Sequence, residues 1–324
     1  MLNTKFTRQV GIEFPIIGGA MYPCSNPELV GAVSAAGGIG IVQPISLIYV
    51  HKNEFRAGLQ KIKGLANNKP IGMNLLIEKS SKVYLERNRQ WLEIALDEGV
   101  RFFITALGDP RWAIDIAKKH GAVVYHDVTE RKWADKAVKG GVDGLICVNN
   151  RAGGHAGSLA PEKLHQDLKS YGLPLICAGG IGDEQAFKRA LDIGYDGVQL
   201  GTRMIATTEC TAHADYKNAI LKAEEDDIVL TEKITGVPVS VIRTDYIKKI
   251  GVEPNPLVSF LLKNQRAKHY MRMFLSLRSI VQLKKSTQQG SAYKDFFQAG
   301  KSVAGIEKIE PAGDIIRRFA AAAR

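Results

Sequence analysis

The sequence predicts a (β/α)8 barrel followed by a helical, strongly basic segment. Three observations carry that reading. Eight apolar runs rich in Ile, Val and Leu recur up to about residue 202, helix-length segments separate them, and the alternation stops after Thr202. Strands that are apolar on both faces and spaced by helices indicate a parallel sheet, and eight repeats match the number that closes a barrel. A doubly wound open sheet is the alternative, because a strand count alone does not establish closure.

In order, the runs are FPIIGGA at 14–20, GGIGIV at 37–42, PIGMNLL at 70–76, RFFITALG at 101–108, AVVYHDV at 122–128, GLICVN at 144–149, PLICAGG at 174–180 and GVQLGT at 197–202. Between the first two lies NPELVGAVSAAG, with Asn26 at the N-cap position and Pro27 at the first helical position. Further helices are expected over 82–98, 110–120, 130–139, 161–170 and 183–193. Beyond the barrel, residues 210–304 are helical in composition, and GDIIRRFAAAAR reads as a last amphipathic helix.

Composition narrows the function classes. A chain of 324 residues that is 45% hydrophobic can bury a large core. No run of about 18 apolar residues is present, and MLNTKFTRQV lacks the apolar stretch of a secretory signal, so a soluble, cytoplasmic protein without a membrane partner is expected. Cys24, Cys147, Cys177 and Cys210 lie far apart with no CxxC pair, which argues against a metal site or disulfide framework and for small core residues. The net charge of +11 is concentrated: residues 243–285 hold ten Lys and Arg against two acids, Asp245 and Glu253. No RNA-recognition signature, zinc finger or helix-turn-helix pattern accompanies this run, so nucleic acid is not an expected partner.

In a barrel of this type the chemistry sits at the C-terminal ends of the strands. Those ends carry GGAMYPCSN with Gly18, Gly19 and Ala20, then Asn74, then His126 and Asp127. They go on with AGGHAG, which holds Gly153, Gly154 and His155, then CAGGIGD with Ala178, Gly179 and Gly180, then Gly201 and Thr202. Glycine-rich ends at strands seven and eight, beside a helix starting near Asp183, suit a phosphate dianion, because backbone N–H groups there are free of side chains. The alternative is that these glycines only make tight turns. No Walker lysine pattern and no GxGxxG after a first strand point to other nucleotides, so FMN fits best. Its ring would lie against backbone at Gly18 and Gly19, and Asn74 would offer an amide to the ring's polar edge or else cap the following turn.

PIIGGAM, ELVGAVSAAGGIGIV, IGMNL, AGGHAG, ICAGGIGD, GVQLGTRMIATTEC and YKNAILKAEEDDIVLTEKITGVP, in this order, resemble the nitronate monooxygenase family, formerly 2-nitropropane dioxygenases. That family shares its fold and FMN site with the FMN-dependent enoyl-acyl-carrier-protein reductases. The resemblance implies FMN contacts at Gly19, Asn74, Gly179, Gly180, Gly201 and Thr202, an active-site histidine at His155, and Gly153, Gly154 and Gly157 leaving room for ring and substrate. It also implies a smaller, mainly helical domain inserted after the eighth strand: barrel 1–209, substrate-covering insert 210–304, closing helix 305–324. Gly300 and Lys301, in FFQAGKSVAGI, match a segment that approaches the flavin. One departure stands out: where relatives carry a lysine near the flavin, this chain reads YHDVTERKW, which puts His126 or Asp127 there; either His126, Arg131 or Lys132 supplies a positive charge, or the redox chemistry differs from the family's main line.

The chemistry implied is oxidation of an alkyl nitronate with O2, through FMN, to a carbonyl compound and nitrite. His155 would deprotonate a neutral nitroalkane or, as imidazolium, hold the nitronate oxygens, since an unperturbed imidazole titrates at about 6.5. The alternative for His155 is a residue that only hydrogen-bonds its loop. NAD(P)H-dependent reduction of an enoyl thioester or quinone on the same scaffold is the runner-up activity, with the basic run as a dock for an acidic carrier or coenzyme A phosphates. A non-enzymatic reading has the basic run bind nucleic acid or an anionic membrane. Leu261, Leu262, Met271, Phe274, Leu275 and Val281 are expected to pack while the cationic face stays in water. A homodimer is compatible with the sequence, no metal site is expected, and no chemistry is assigned to His120, His165, His213, His269 or the acids at 224–227.

Overall fold

The computed structural model describes residues 2–77, 82–264, 267–290 and 295–323. Eight parallel strands form a closed barrel in sequence order. They are β1 (Ile16–Gly18), β2 (Ile39–Val42), β3 (Gly72–Leu76), β4 (Phe102–Ala106), β5 (Val123–Val128), β6 (Gly144–Val148), β7 (Leu175–Ala178) and β8 (Gly197–Leu200). Each lies within a run read from the sequence. Closure is made by β1 against β8, with Ile16 beside Val198 and Gly18 beside Leu200. The open-sheet alternative is thereby set aside.

The two-residue period of the strands sorts side chains into two cores. Ile17, Ile39, Ile41, Phe102, Ile104, Tyr125, Ile146, Ile176 and Ala178 fill the barrel interior. Their neighbours, such as Met73, Phe103, Val124, Leu145, Cys147 and Val198, pack outward against the helices. Helix α1 (Lys5–Val10) plugs one end of the barrel. Its Phe6 lies 5.7 Å, centroid to centroid, from both Phe102 and Tyr125, which themselves meet edge to face at 5.1 Å. With these residues from the N-terminal halves of β4 and β5 sealed by aromatic contact, the C-terminal mouth is the end left for chemistry.

Around the barrel run α2 (Pro27–Ala35), α3 (Phe55–Leu65), α4 (Lys82–Asp97), α5 (Arg111–Lys118), α6 (Arg131–Lys139), α7 (Pro161–Leu168), α8 (Glu184–Ile193) and the single turn α9 (Thr202–Ile205). Asn26 occupies the N-cap of α2, but its side chain makes no cap bond there. Its amide instead donates to Glu28 and, at 2.9 Å, to the carbonyl of Glu209, tying the start of α2 to the chain leaving the barrel.

After the barrel come α10 (Ala214–Lys222), β9 (Ile228–Thr231), β10 (Val239–Ile242), α11 (Asp245–Ile250), α12 (Pro256–Lys263), α13 (Ala267–Gln289) and α14 (Ala312–Ala322). The region expected to be mainly helical thus contains an antiparallel ribbon, with Val239 opposite Thr231 and Ile242 opposite Ile228. Val239 and Val241 anchor a small core with Ile234, Ile247 and Phe296. Helix α14 returns to the barrel's helical layer, where Phe319 stacks on Phe187 of α8 at 5.8 Å.

The packing expected along the basic helices is only partly found. Leu275 is buried and Leu261 and Met271 are half-buried, but Phe274 and Val281 are 60% and 55% exposed. The buried stripe of α13 runs through Leu275, Ser279, Gln282 and Ser286, at helical spacing. Phe274 and Val281 therefore fall one position off it, on the outward stripe with exposed Arg278 and Lys285. The side chains of Leu262 and Arg272, and all of Arg266, lie outside the described residues.

Candidate active site at the barrel mouth

The last interior layer of the barrel is polar. Register places Asn74 beside Ile104, Asp127 beside Ile146, and Gln199 beside both Ile17 and Ala178, all of them interior partners. Among the described residues, Asp127 Oδ1 and Gln199 Oε1 are enclosed without a hydrogen-bond partner. Asn74 Nδ2 has one long contact, 3.4 Å, to the carbonyl of Ile104. Buried polar groups are nearly always paired, so two unmet oxygens in one layer mark a place built for something else. Burial pushes the Asp127 carboxyl up to about 7, although the residue is partly open to the mouth. Gln199 was missed by sequence reasoning; a polar residue inside the apolar run GVQLGT was the available signal.

His126 faces the other way. It shares the outward face of β5 with Val124 and Val128. Its Nδ1 lies 2.8 Å from Thr105 Oγ1, whose own proton goes to the carbonyl of Tyr125. Nδ1–H therefore donates and the ring is neutral; burial holds its pKa down at about 4. Arg131 donates to the carbonyl of Asp167 and lies over Tyr171, and Lys132 lies over Trp133, both on the solvent side of α6. The expectation that His126, Arg131 or Lys132 brings a positive charge to the mouth is thus corrected: strand alternation and the outward helix carry all three away.

His155 sits on the loop after β6. Asn149, fully buried, shapes that loop: its amide donates to Gly179 O at 3.0 Å and its oxygen accepts from Arg151 N at 2.8 Å. Ser240 N of β10 donates to Gly154 O at 2.8 Å, so β10 bridges onto the loop. Thr235 Oγ1 lies 3.4 Å from His155 Nε2 and gives its own proton to Val237 O. Nε2–H is then the donor, and Nδ1 keeps its lone pair. The imidazole is accessible from solvent, yet the protein packed around it lowers its pKa through desolvation. Neither Asn149 nor Thr235 was singled out from the sequence, although both lie in or beside quoted motifs.

Gly153 answers to protein packing. A Cβ there would meet Gly300 N at 2.9 Å and Ala299 C at 3.0 Å, so close approach of the 299–301 backbone requires the glycine. Along the direction of that Cβ the space is taken by the chain, while the residue is otherwise exposed. Gly154 has φ +66°. At the mouth of β1, a Cβ on Gly18 would meet Val33 and one on Gly19 would meet Gln199 Cγ, both at 2.9 Å. Ala20 borders the interior cluster, and Ala178 belongs to it.

At the end of β7, Gly179 and Gly180 adopt φ of +121° and +81°, conformations that a side chain would strain. The N-terminus of α8 is occupied by its own carboxylate, since Asp183 accepts from Ala186 N at 2.7 Å. Thr202 Oγ1 accepts from Gly300 N at 2.9 Å, and Lys301 N donates to Arg151 O at 2.9 Å, so the 299–301 segment closes over this corner. Fully buried Arg203 donates to the carbonyls of Ala206 and Lys308, fastening α9 to the C-terminal segment. All four cysteines are unpaired and buried, in keeping with small core residues. Among the described residues, no cluster of three or more His, Cys, Asp or Glu could hold a metal ion.

A closed parallel barrel with a polar interior layer and a histidine loop at its C-terminal mouth defines a (β/α)8-barrel enzyme. The chain belongs to the nitronate monooxygenase family, whose model matches residues 3–321, and it is an oxidoreductase. The (3aS,4S,5R,7aS)-5-hydroxy-7a-methyl-1-oxo-octahydro-1H-indene-4-carboxyl-CoA dehydrogenase of Mycobacterium tuberculosis is 31% identical over 253 residues, 77% of this chain and 68% of that protein. The nitronate monooxygenase of Pseudomonas aeruginosa is 28% identical over 278 residues, covering 72% of this chain and 78% of its own. FabK from Thermotoga maritima superposes with a TM-score of 0.80 at 26% identity, over 100% of this chain and 96% of that one. Nitroalkane oxidase from Streptomyces ansochromogenes shares the fold, with a TM-score of 0.78 at 20% identity over 98% and 97% of the two chains. Among the described residues, no helix is long and apolar enough to cross a membrane.

Proposed function

We propose that the protein is an FMN-dependent oxidoreductase that converts alkyl nitronates and O2 into carbonyl compounds and nitrite, with His155 as its acid–base residue. The observation that carries this reading is the histidine itself: an accessible, neutral imidazole on the loop after β6, at the C-terminal end of the barrel, oriented by Thr235 through Nε2 with Nδ1 left to act. Its lowered pKa keeps the base form at neutral pH, ready to take the α-proton of a neutral nitroalkane at Nδ1.

The residues present fit FMN. Gln199 Oε1 is an unmet acceptor suited to a ring N–H, and Asn74 Nδ2 is a weakly used donor suited to a ring carbonyl. The loop at 179–182, with Gly201 and Thr202, would hold the phosphate; Thr202 accepts from Gly300 and so keeps its own proton to donate. Bound there, FMN would supply the acceptor for the nitronate's electrons and pass them to O2. The insert over 210–304, through Thr235, Ser240 and the segment near Gly300, would cover the mouth of the 1–209 barrel and limit water, with 305–324 closing the chain. The unpaired cysteines support a reducing, cytoplasmic setting.

Purified protein is expected to carry one FMN per chain, and His155→Ala to keep the FMN while losing roughly 10² to 10⁴ of its turnover with nitroalkane. Colourless wild-type protein that takes up no FMN refutes the cofactor, and near-normal turnover by the variant refutes the histidine's role. A second reading, NAD(P)H-linked redox chemistry on an acyl thioester, is supported by the carboxyl-CoA dehydrogenase relative and by the exposed cations Arg278 and Lys285. Parallel assays of nitronate with O2, NADH with quinone, and NADH with enoyl thioester discriminate between the two.

A further inference from the structure

Asp127 is out of place for a carboxylate. The alternation of β5 turns it into the barrel beside Ile146, at the layer where Asn74 and Gln199 also point inward. Its Oδ1 is enclosed and has no partner among the described residues. The groups packed nearest are no help to a negative charge. Ile146 is apolar, His126 beside it is neutral and faces outward, and Cys147 on β6 is a buried thiol whose proton the Asp127 charge would hold more tightly. Of the other inward residues of β5, Val123 is apolar and Tyr125 gives its proton to Gln9. Asn74 and Gln199 are uncharged. A carboxyl so placed avoids the cost of an unpaired buried charge by keeping its proton, and desolvation is the sole cause of its raised pKa.

A protonated carboxyl differs from a carboxylate in one functional respect: it has an O–H to give. We propose that Asp127 is kept as a neutral acid that donates a hydrogen bond to an acceptor on the polar edge of a bound flavin ring, so that flavin binding is gated by this proton. The inference rests on the FMN reading above and adds to it the protonation state and direction of one contact. It also accounts for a carboxyl at the mouth of a barrel in which His126, Arg131 and Lys132 bring no positive charge. Ionisation would replace the donor by an anion facing the ring's own lone pairs, with no opposing charge beside it among the described residues.

The test is the dissociation constant of FMN, read by its fluorescence, between pH 7 and 9.5 for wild type, Asp127→Asn and Asp127→Ala. The asparagine keeps the shape and an N–H donor but cannot ionise, so the ratio of wild-type to Asp127→Asn dissociation constants is expected to rise at least about tenfold over this range. Other groups that titrate in the same window, the FMN included, cancel in that ratio. Asp127→Ala should bind more weakly than Asp127→Asn by a factor that does not change with pH. A constant wild-type to Asp127→Asn ratio, or loss of FMN by Asp127→Asn at pH 7, overturns the proposal while leaving FMN binding intact. Wild-type protein that binds no FMN at any pH overturns the cofactor reading itself, and this inference with it.

Discussion

Replacing His126 by asparagine should flatten the acid limb of the protein's stability curve. In the folded chain the ring is buried and neutral, with its pKa down at about 4 against 6.5 for an unperturbed imidazole. Between those two values the unfolded chain binds a proton that the folded chain refuses, so stability rises with pH across the interval. The contribution is complete above about pH 6.5 and is lost as pH falls toward about 4. At about 1.36 kcal/mol per tenfold change in proton affinity, the wild type should lose about 3 kcal/mol over this window through His126 alone. The residue is only 6% exposed, so solvent does little to soften the effect. Asparagine can place an N–H near the position of Nδ1 and keep the bond to Thr105 Oγ1, though the missing ring atoms leave a cavity that costs about 1–3 kcal/mol at every pH. The signature is therefore the slope and not the offset. Urea unfolding at pH 4.5, 5.5, 6.5 and 7.5 measures it, and other titrating groups cancel in the difference between the two proteins. Parallel curves for wild type and variant would show that His126 is not buried as a neutral ring, and would reopen its candidacy as a cation at the barrel mouth.

Gly153→Ala should destabilise the protein by roughly 1–3 kcal/mol in urea, because its Cβ would press on the backbone of Gly300 and Ala299. Wild-type stability combined with weakened FMN binding would show instead that the glycine serves the ligand. Reversing Arg278 and Lys285 to Glu should leave kcat/KM for a small nitronate within about twofold at physiological salt, since exposed charges are screened over about 8 Å. A rise in KM for a coenzyme A thioester that fades with added salt would identify this stripe as a dock; equal KM at low salt would leave it a solvated surface.

The barrel was legible because a strand buried on both faces writes itself as an uninterrupted apolar run. GLIC in β6 is buried at every position. The ribbon of β9 and β10 was hidden for the opposite reason: each strand has four residues, and β9 is mostly half-exposed, so neither stands out inside a long helical segment. Helix α3 carries Phe55, Leu59 and Ile62 on one face, a periodicity that was present and passed over. The location of the candidate site followed from the barrel, since the glycines and His155 could only belong to strand ends. Which of two adjacent residues faces that site did not follow, because in a strand a shift of one residue reverses the face. YHDV presents both a histidine and an aspartate, and it is the pairing of β5 with β4 and β6 that sends His126 to Thr105 and Asp127 into the mouth. Gly153 shows the same division: its identity was readable as a demand for space, but the backbone that takes the space comes from Gly300, nearly half the chain away. Local sequence determined the elements and their order, through propensity and apolar period. Contacts between residues far apart in the chain decided the direction, protonation and partners of the polar groups at the mouth, because burial and hydrogen bonding are properties of the packed surroundings and not of the residue alone.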